Sequence, residues 1–144
     1  SRAGVPIRLL VRGVCCLRPG IKGVSESIRV RSVVGRFLQH ARVYRFINNE
    51  TPELWASSAD WMERNLLQRV EVAFPIDKKI LYNRVVEECF NIPWQDDMSA
   101  WDMRPDGSYL LAPQQDDEGK LRHPQKRLLK LIRTTAKPVI LKTV

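Results

Sequence analysis

At 144 residues the chain is long enough for one domain with a real core, and its 44% of apolar residues exclude wholesale disorder. The net charge of +8 implies an anionic partner: nucleotide, phosphate polymer, nucleic acid or acidic lipid. No apolar run approaches the ~18 residues that a membrane-spanning helix needs, and no signal peptide is visible.

Ser1 is not a natural initiator, so the chain reads as an excised domain. Residues 7–16 form a nearly continuous apolar run, broken by Arg8 and by Arg12-Gly13, as in a buried parallel strand. Cys15 and Cys16 fall in this run; strand neighbours point to opposite faces, so they are poor disulfide partners. With Cys89 the cysteines number three, an odd count that reads as buried thiols in a reducing cytoplasm. Zinc is not expected, because no second Cys or His pair stands at ligand spacing.

Pro19, Gly20 and Gly23 mark a loop over 17–27, and residues 28–34 alternate with period two as a strand does. A short helical turn is expected over 36–39, leading to His40. Residues 41–46 read as a second alternating strand, 48–52 as a turn, and 54–57 as the returning strand. Asp60 is placed to cap a short helix through Leu67. Residues 69–76 alternate as another strand. Asp77 then caps a helix over 78–90, with Ile80, Leu81, Val85, Val86 and Cys89 on its apolar side and Pro93 as its stop. Residues 101–111 read as a hairpin turning at Asp106-Gly107. An exposed acidic stretch follows at 114–119, and an amphipathic packing helix at 126–133.

The chemistry concentrates between Leu9 and Val72. Arg12 ends the apolar run Leu9-Leu10-Val11, and a guanidinium buried there needs a partner, such as Glu71 or Asp60. His40 is one of only two histidines, and Arg42 follows it by two positions. A neutral imidazole can attack phosphorus or take a proton, and a protonated one can release a proton to a leaving oxygen. Fixed arginines stabilise the charge that phosphoryl transfer develops, since the planar guanidinium binds two oxygens and stays charged. Arg12 at a strand end, His40 before a strand, Ser57-Ser58 at the end of its hairpin partner and Arg69 opening the next strand are expected to converge on one edge of the sheet.

Plainer readings stand beside these. Ser57 and Ser58 satisfy backbone groups at a strand end, Asp60 is only a cap, and Trp61 and Met62 belong to the core. Arg69 pairs with an acid. Arg18, Arg29, Arg31, Arg36 and Arg42 form a solvated basic surface able to guide a polyanion, and His123 is incidental.

The pattern His40-Ala41-Arg42 with Ser57-Ser58-Ala59-Asp60 resembles a degenerate half of the phospholipase D signature, in which two halves normally make one site. Arginine stands for its lysine, Ser57 for its glycine and Asp60 for its asparagine. Five runs carry a sharper resemblance: 3–5 (Ala-Gly-Val), 11–20 (Val-Arg-Gly-Val-Cys-Cys-Leu-Arg-Pro-Gly), 25–30 (Ser-Glu-Ser-Ile-Arg-Val), 32–40 (Ser-Val-Val-Gly-Arg-Phe-Leu-Gln-His) and 57–65 (Ser-Ser-Ala-Asp-Trp-Met-Glu-Arg-Asn). They resemble the last, C-terminal catalytic domain of the histidine-phosphorylated bacterial polyphosphate kinases. The resemblance is dense over 3–76, weaker to 111 and negligible beyond, which divides the chain into a domain at 1–111 and a tail with its helix at 112–144.

That resemblance implies an α/β fold of phospholipase-D-like architecture, a mixed sheet flanked by helices that forms one half of a two-domain catalytic unit. It implies reversible transfer of the ATP γ-phosphate to polyphosphate, with Mg2+. Arg12 and His40 would contact the nucleotide phosphates, and Arg69 is a further phosphate-side candidate. The phosphorylated histidine, the magnesium-side arginines and a nucleotide-contacting tyrosine would belong to the preceding catalytic domain. His40 is then the pseudo-symmetric second histidine, a proton donor or phosphate ligand and not the nucleophile. The isolated fragment is expected to be inactive. The resemblance further implies a homo-oligomer at full length; the location read for the chain is the cytoplasm, with the inner membrane face as a peripheral variant. Two rivals remain: a phosphodiesterase closing its site by pairing two His40 halves, and a non-catalytic module binding nucleic acid or another polyanion. Nucleic acid ranks last, because no aromatic-rich stacking pattern accompanies the charge.

Overall fold

The computed structural model describes residues 1–13, 15–48, 51–95, 99–112 and 123–135. Its elements, in chain order, are β1 (Ile7–Val11), β2 (Ile28–Val33), β3 (Val43–Phe46), β4 (Glu53–Ser57), α1 (Glu63–Gln68), β5 (Ala73–Pro75), α2 (Lys79–Val86), a π-helical turn (Glu87–Asn91), α3 (Ile92–Trp94), β6 (Ala100–Met103), β7 (Tyr109–Leu111) and α4 (Pro124–Thr135). They fall into two compact units: Ser1–Phe37 with Ile92–Val144, and Leu38–Asn91, which lies between those two segments in sequence. The fold is mixed α/β, as expected.

The first unit carries the mixed sheet, a four-stranded one in the order β1-β2-β6-β7. β1 and β2 run parallel with Ile7 beside Ile28 and Val11 beside Ser32, while β6 and β7 are antiparallel additions. Alternation then sorts the side chains. Leu10, Val33, Ala100 and Ala112 pack together on one side. Ile28, Val30 and Ser32 are buried on the other. The loop before β2 is pinned by the buried Ser25, whose hydroxyl donates to the Arg18 carbonyl at 2.7 Å and accepts from the Ile21 amide at 3.1 Å. Gly20 is required there: its φ is +71°, and a Cβ would approach Pro105 Cγ to 3.2 Å.

Arg31 locks this sheet to its flanking helix. Its Nε and Nη2 reach both oxygens of Asp102, the residue beside it on β6, at 2.7 Å each. Nη1 donates to the Trp94 carbonyl, and the guanidinium lies 5.0 Å from the Trp94 ring centroid. Arg31 is therefore a half-buried structural ion pair and not part of a solvated surface, because burial forces a guanidinium to find acceptors. Arg18 is also engaged, donating to the Asp106 carbonyl at 2.8 Å. The hairpin at Asp106-Gly107 forms as expected, with Gly107 at φ +90° and its amide on the Arg104 carbonyl at 2.9 Å. α4 covers the expected amphipathic helix and begins earlier, at a buried Pro124.

The second unit is an antiparallel three-stranded sheet, β3-β4-β5, with α1, α2 and the π-helical turn. The hairpin of β3 and β4 matches the expected strands; residues 49 and 50 of its turn lie outside the described set, as does the acidic stretch 114–119. Its buried residues include Leu54, Ala59, Val86 and Asn65.

Several expectations are corrected. No helical turn forms over 36–39, where the chain only bends. The strand expected over 69–76 shrinks to Ala73–Pro75, because α1 extends to Gln68 and Arg69 closes it. α1 starts from Met62 without a side-chain cap, and Asp60 bonds elsewhere. α2 starts from Lys78, again uncapped by any side chain, so Asp77 does not fill the role assigned to it. The helical path opens into the π turn at Glu87–Asn91 and does not stop sharply at Pro93, which lies inside α3. Trp61 and Met62 are exposed; Trp61 stacks on Tyr44 at 5.5 Å instead of entering the core. The thiols are not buried: Cys16 is exposed, and Cys15 and Cys89 are half-buried.

Candidate functional site

The antiparallel register decides what can meet in the second unit. β4 runs against both neighbours, with Val43 beside Ala56 and Ser57 beside Ala73. The entry to β3, the exit of β4 and the entry to β5 therefore share one end of the sheet. His40 and Arg42, Ser57 to Asp60, and the segment from Arg69 to Val72 occupy those three positions.

Their side chains form two linked groups. In the first, Arg42 Nε donates to Asp60 Oδ1 at 2.7 Å, while Nη1 and Nη2 each lie 3.2 Å from a ring nitrogen of His40. The Arg42 side chain is only 18% exposed, and the ion pair holds its charge firmly, chiefly through the Asp60 hydrogen bond. In the second, Ser58 donates its hydroxyl to Glu71 Oε2, and Asn65 Nδ2 donates to Glu71 Oε1 at 2.9 Å. Ser58 Oγ also accepts from the Val72 amide at 3.0 Å. These bonds, the Ser58 one foremost, keep the Glu71 carboxyl below its usual range, and Arg69 and Arg42 push the same way. Both arginines therefore feel Glu71, and the two groups form one electrostatic cluster.

The segment from Ser57 to Met62 is itself fixed. Ser57 Oγ accepts from the Ala59 amide at 3.0 Å, Tyr44 Oη donates to the buried Ala59 carbonyl at 3.2 Å, and the Met62 amide donates to the Asp60 carbonyl at 2.8 Å. The Ser57 amide donates to the Arg42 carbonyl at 2.8 Å, extending the hairpin to the site.

Of the expected residues, His40 and Arg69 lie at this sheet end in the second unit. His40 is exposed, as is Arg69, which follows α1 directly instead of opening a strand. Arg12 belongs to the first unit and a different sheet. It is exposed just past the carboxyl end of the parallel strand β1, not buried within an apolar strand. One continuous sheet edge bearing all of these residues is therefore not what forms, because β3, β4 and β5 pair among themselves while β6 takes the far side of β2. Arg42, read as solvated, is half-buried and paired. Asn65 and Glu71 were not singled out for this cluster; the Ser58–Glu71 pairing follows from the register of β4 with β5, which period-two alternation alone does not supply.

Magnesium needs hard oxygen donors. The carboxylates here are taken, Asp60 by Arg42 and Glu71 by Ser58 and Asn65. Among the described residues no three His, Cys, Asp or Glu side chains gather as a metal site. The described residues of this site do not fit a resident ion.

Comparison with known proteins is specific. The family model described as polyphosphate kinase C-terminal domain 2 matches residues 1–123. A polyphosphate kinase of Xylella fastidiosa (strain Temecula1) is 55% identical over 117 residues, covering 81% of this chain and 17% of that protein. One from Neisseria meningitidis serogroup B is 52% identical over 120 residues, covering 83% and 18%. The crystal structure of a polyphosphate kinase from Porphyromonas gingivalis superposes with a TM-score of 0.82 at 32% identity, over 92% of this chain and 20% of that one.

The chain belongs to the polyphosphate kinase family, as its C-terminal domain 2. It spans under a fifth of the length of the two curated relatives. Among the described residues no helix is long and apolar enough to cross a membrane.

Proposed function

We propose that this domain supplies phosphate-binding residues to the reversible transfer of the ATP γ-phosphate onto polyphosphate. The P–O bond to ADP breaks and one to the polymer's terminal oxygen forms, by way of a phosphorylated histidine outside this chain. Arg12, His40 and Arg69 act on the phosphates. Exposed guanidiniums at the end of β1 and after α1 offer paired N–H donors to equatorial oxygens, and His40 contacts a phosphate from the entry to β3. Mg2+ accompanies ATP, with its ligands outside this chain. The partners are ATP or ADP, polyphosphate, the preceding catalytic domain and further copies of the full-length protein. The place of action is cytoplasmic, with peripheral association at the inner membrane face as a variant.

The observation that carries this reading is the sheet end of the second unit. There His40 is held by Arg42, and Glu71 lies within electrostatic reach of Arg69. The test is addition of the preceding catalytic domain, with ATP-dependent polyphosphate formation as readout. The isolated chain should form no polymer, because proximity between half-sites is lost. The joined protein should, and Arg69→Ala should lower its turnover by roughly 10- to 100-fold. Polymer formation by the isolated chain, or an unimpaired Arg69→Ala enzyme, contradicts the reading.

A further inference from the structure

His40 is exposed, and an exposed imidazole ordinarily samples several rotamers. Here a single neighbour addresses both of its nitrogens: Nη1 of Arg42 lies 3.2 Å from Nδ1, and Nη2 lies 3.2 Å from Nε2. A guanidinium only donates. A neutral imidazole has one accepting nitrogen, and a doubly protonated ring has none. The two ring lone pairs diverge in the ring plane, so two equal approaches from one fork hold the ring's orientation without naming which nitrogen accepts.

Arg42 can do this because it is anchored at its other side. Nε is committed to Asp60 at 2.7 Å, and Asp60 follows a segment tied to Ser57, Tyr44 and Met62. The Arg42 carbonyl is tied to the Ser57 amide. A lysine has no fork with which to span both ring nitrogens and a carboxylate.

We propose that Arg42, fixed by Asp60, is the positioning residue for His40: it holds the imidazole in the one orientation from which it meets phosphate. This rests on the reading of His40 as phosphate-side. The charged groups of the cluster are Arg42, Asp60, Glu71 and Arg69. Of these, Arg42 contacts both ring nitrogens.

A double-mutant cycle in the full-length polyphosphate kinase tests it. Arg42→Gln should lower kcat by about 10- to 100-fold with little change in KM for ATP. In a His40→Ala background the same change should cost at most about 3-fold, because a positioning residue loses its effect with the group it positions. Asp60→Asn should follow the same pattern more mildly. Arg42→Lys, which keeps the charge and most of the bulk, should not restore the rate. Losses that multiply in the double mutant overturn the proposal, as does full rescue by lysine. A second readout does not depend on activity. Ring-nitrogen NMR of this chain, with His123→Gln leaving His40 as the single histidine, should shift on Arg42→Gln; an unmoved spectrum overturns the proposal. If His40→Ala leaves full-length turnover unchanged, the phosphate-side reading fails by itself, and the NMR comparison still decides the positioning.

Discussion

Glu71 shows how much one carboxylate organises. It binds Ser58 from β4 and Asn65 from α1, and it lies within electrostatic reach of Arg42 and Arg69. Its folded pKa lies below the usual 4.5, the Ser58 hydrogen bond being the largest cause. A depressed pKa contributes stability that is complete above the unfolded value and is lost as pH falls through the folded one. Urea unfolding of this chain should weaken on acidification below roughly pH 5, and Glu71→Gln should flatten that slope. Equal slopes for the two proteins contradict the assignment. The cysteines give a second test at this scale. The Cys89 thiol is pushed up, first by burial and then by Glu88, whereas Cys16 is exposed. Since the thiolate is the reactive form, iodoacetamide should modify Cys16 before Cys89, read by peptide mass spectrometry. The reverse order contradicts it.

At the scale of elements, alternation and turn residues carried much of the fold. β1 to β4, the hairpin at Asp106-Gly107 and the α4 helix were legible because period, Gly and Pro act locally. Partner choice was not legible. Asp60 looks like a cap because it stands shortly before a helix, yet its carboxylate is captured by Arg42, which precedes it by 18 positions. Arg31 and Arg42 alternate like surface residues, and nothing in the pattern reveals that Asp102 and Asp60 meet them. Sequence period likewise gives strands but not sheets, so the separation of β3-β4-β5 from β1-β2-β6-β7 came only with the register. The pairing of Arg31 with Asp102 is testable on its own. Asp102→Ala leaves a guanidinium that is 13% exposed short of two acceptors and should cost about 1–3 kcal/mol in chemical unfolding. A change within about 0.5 kcal/mol would mean that the Trp94 carbonyl and ring suffice.

At the scale of the whole molecule, the candidate residues are divided between two units, and the chain covers under a fifth of its curated relatives. The family resemblance was legible because long runs such as 32–40 and 57–65 are specific. The division of Arg12 from His40 and Arg69 was not, since chain order alone suggested one sheet. Large apolar side chains including Trp61, Leu67 and Val70 are exposed in the second unit. The most direct measurement is the single-turnover rate of phosphate transfer from ATP to polyphosphate by the full-length enzyme, for wild type, His40→Ala and Arg12→Ala. Both variants should fall by about 100-fold or more while remaining folded; wild-type rates in both would contradict the assignment of this domain to the chemistry.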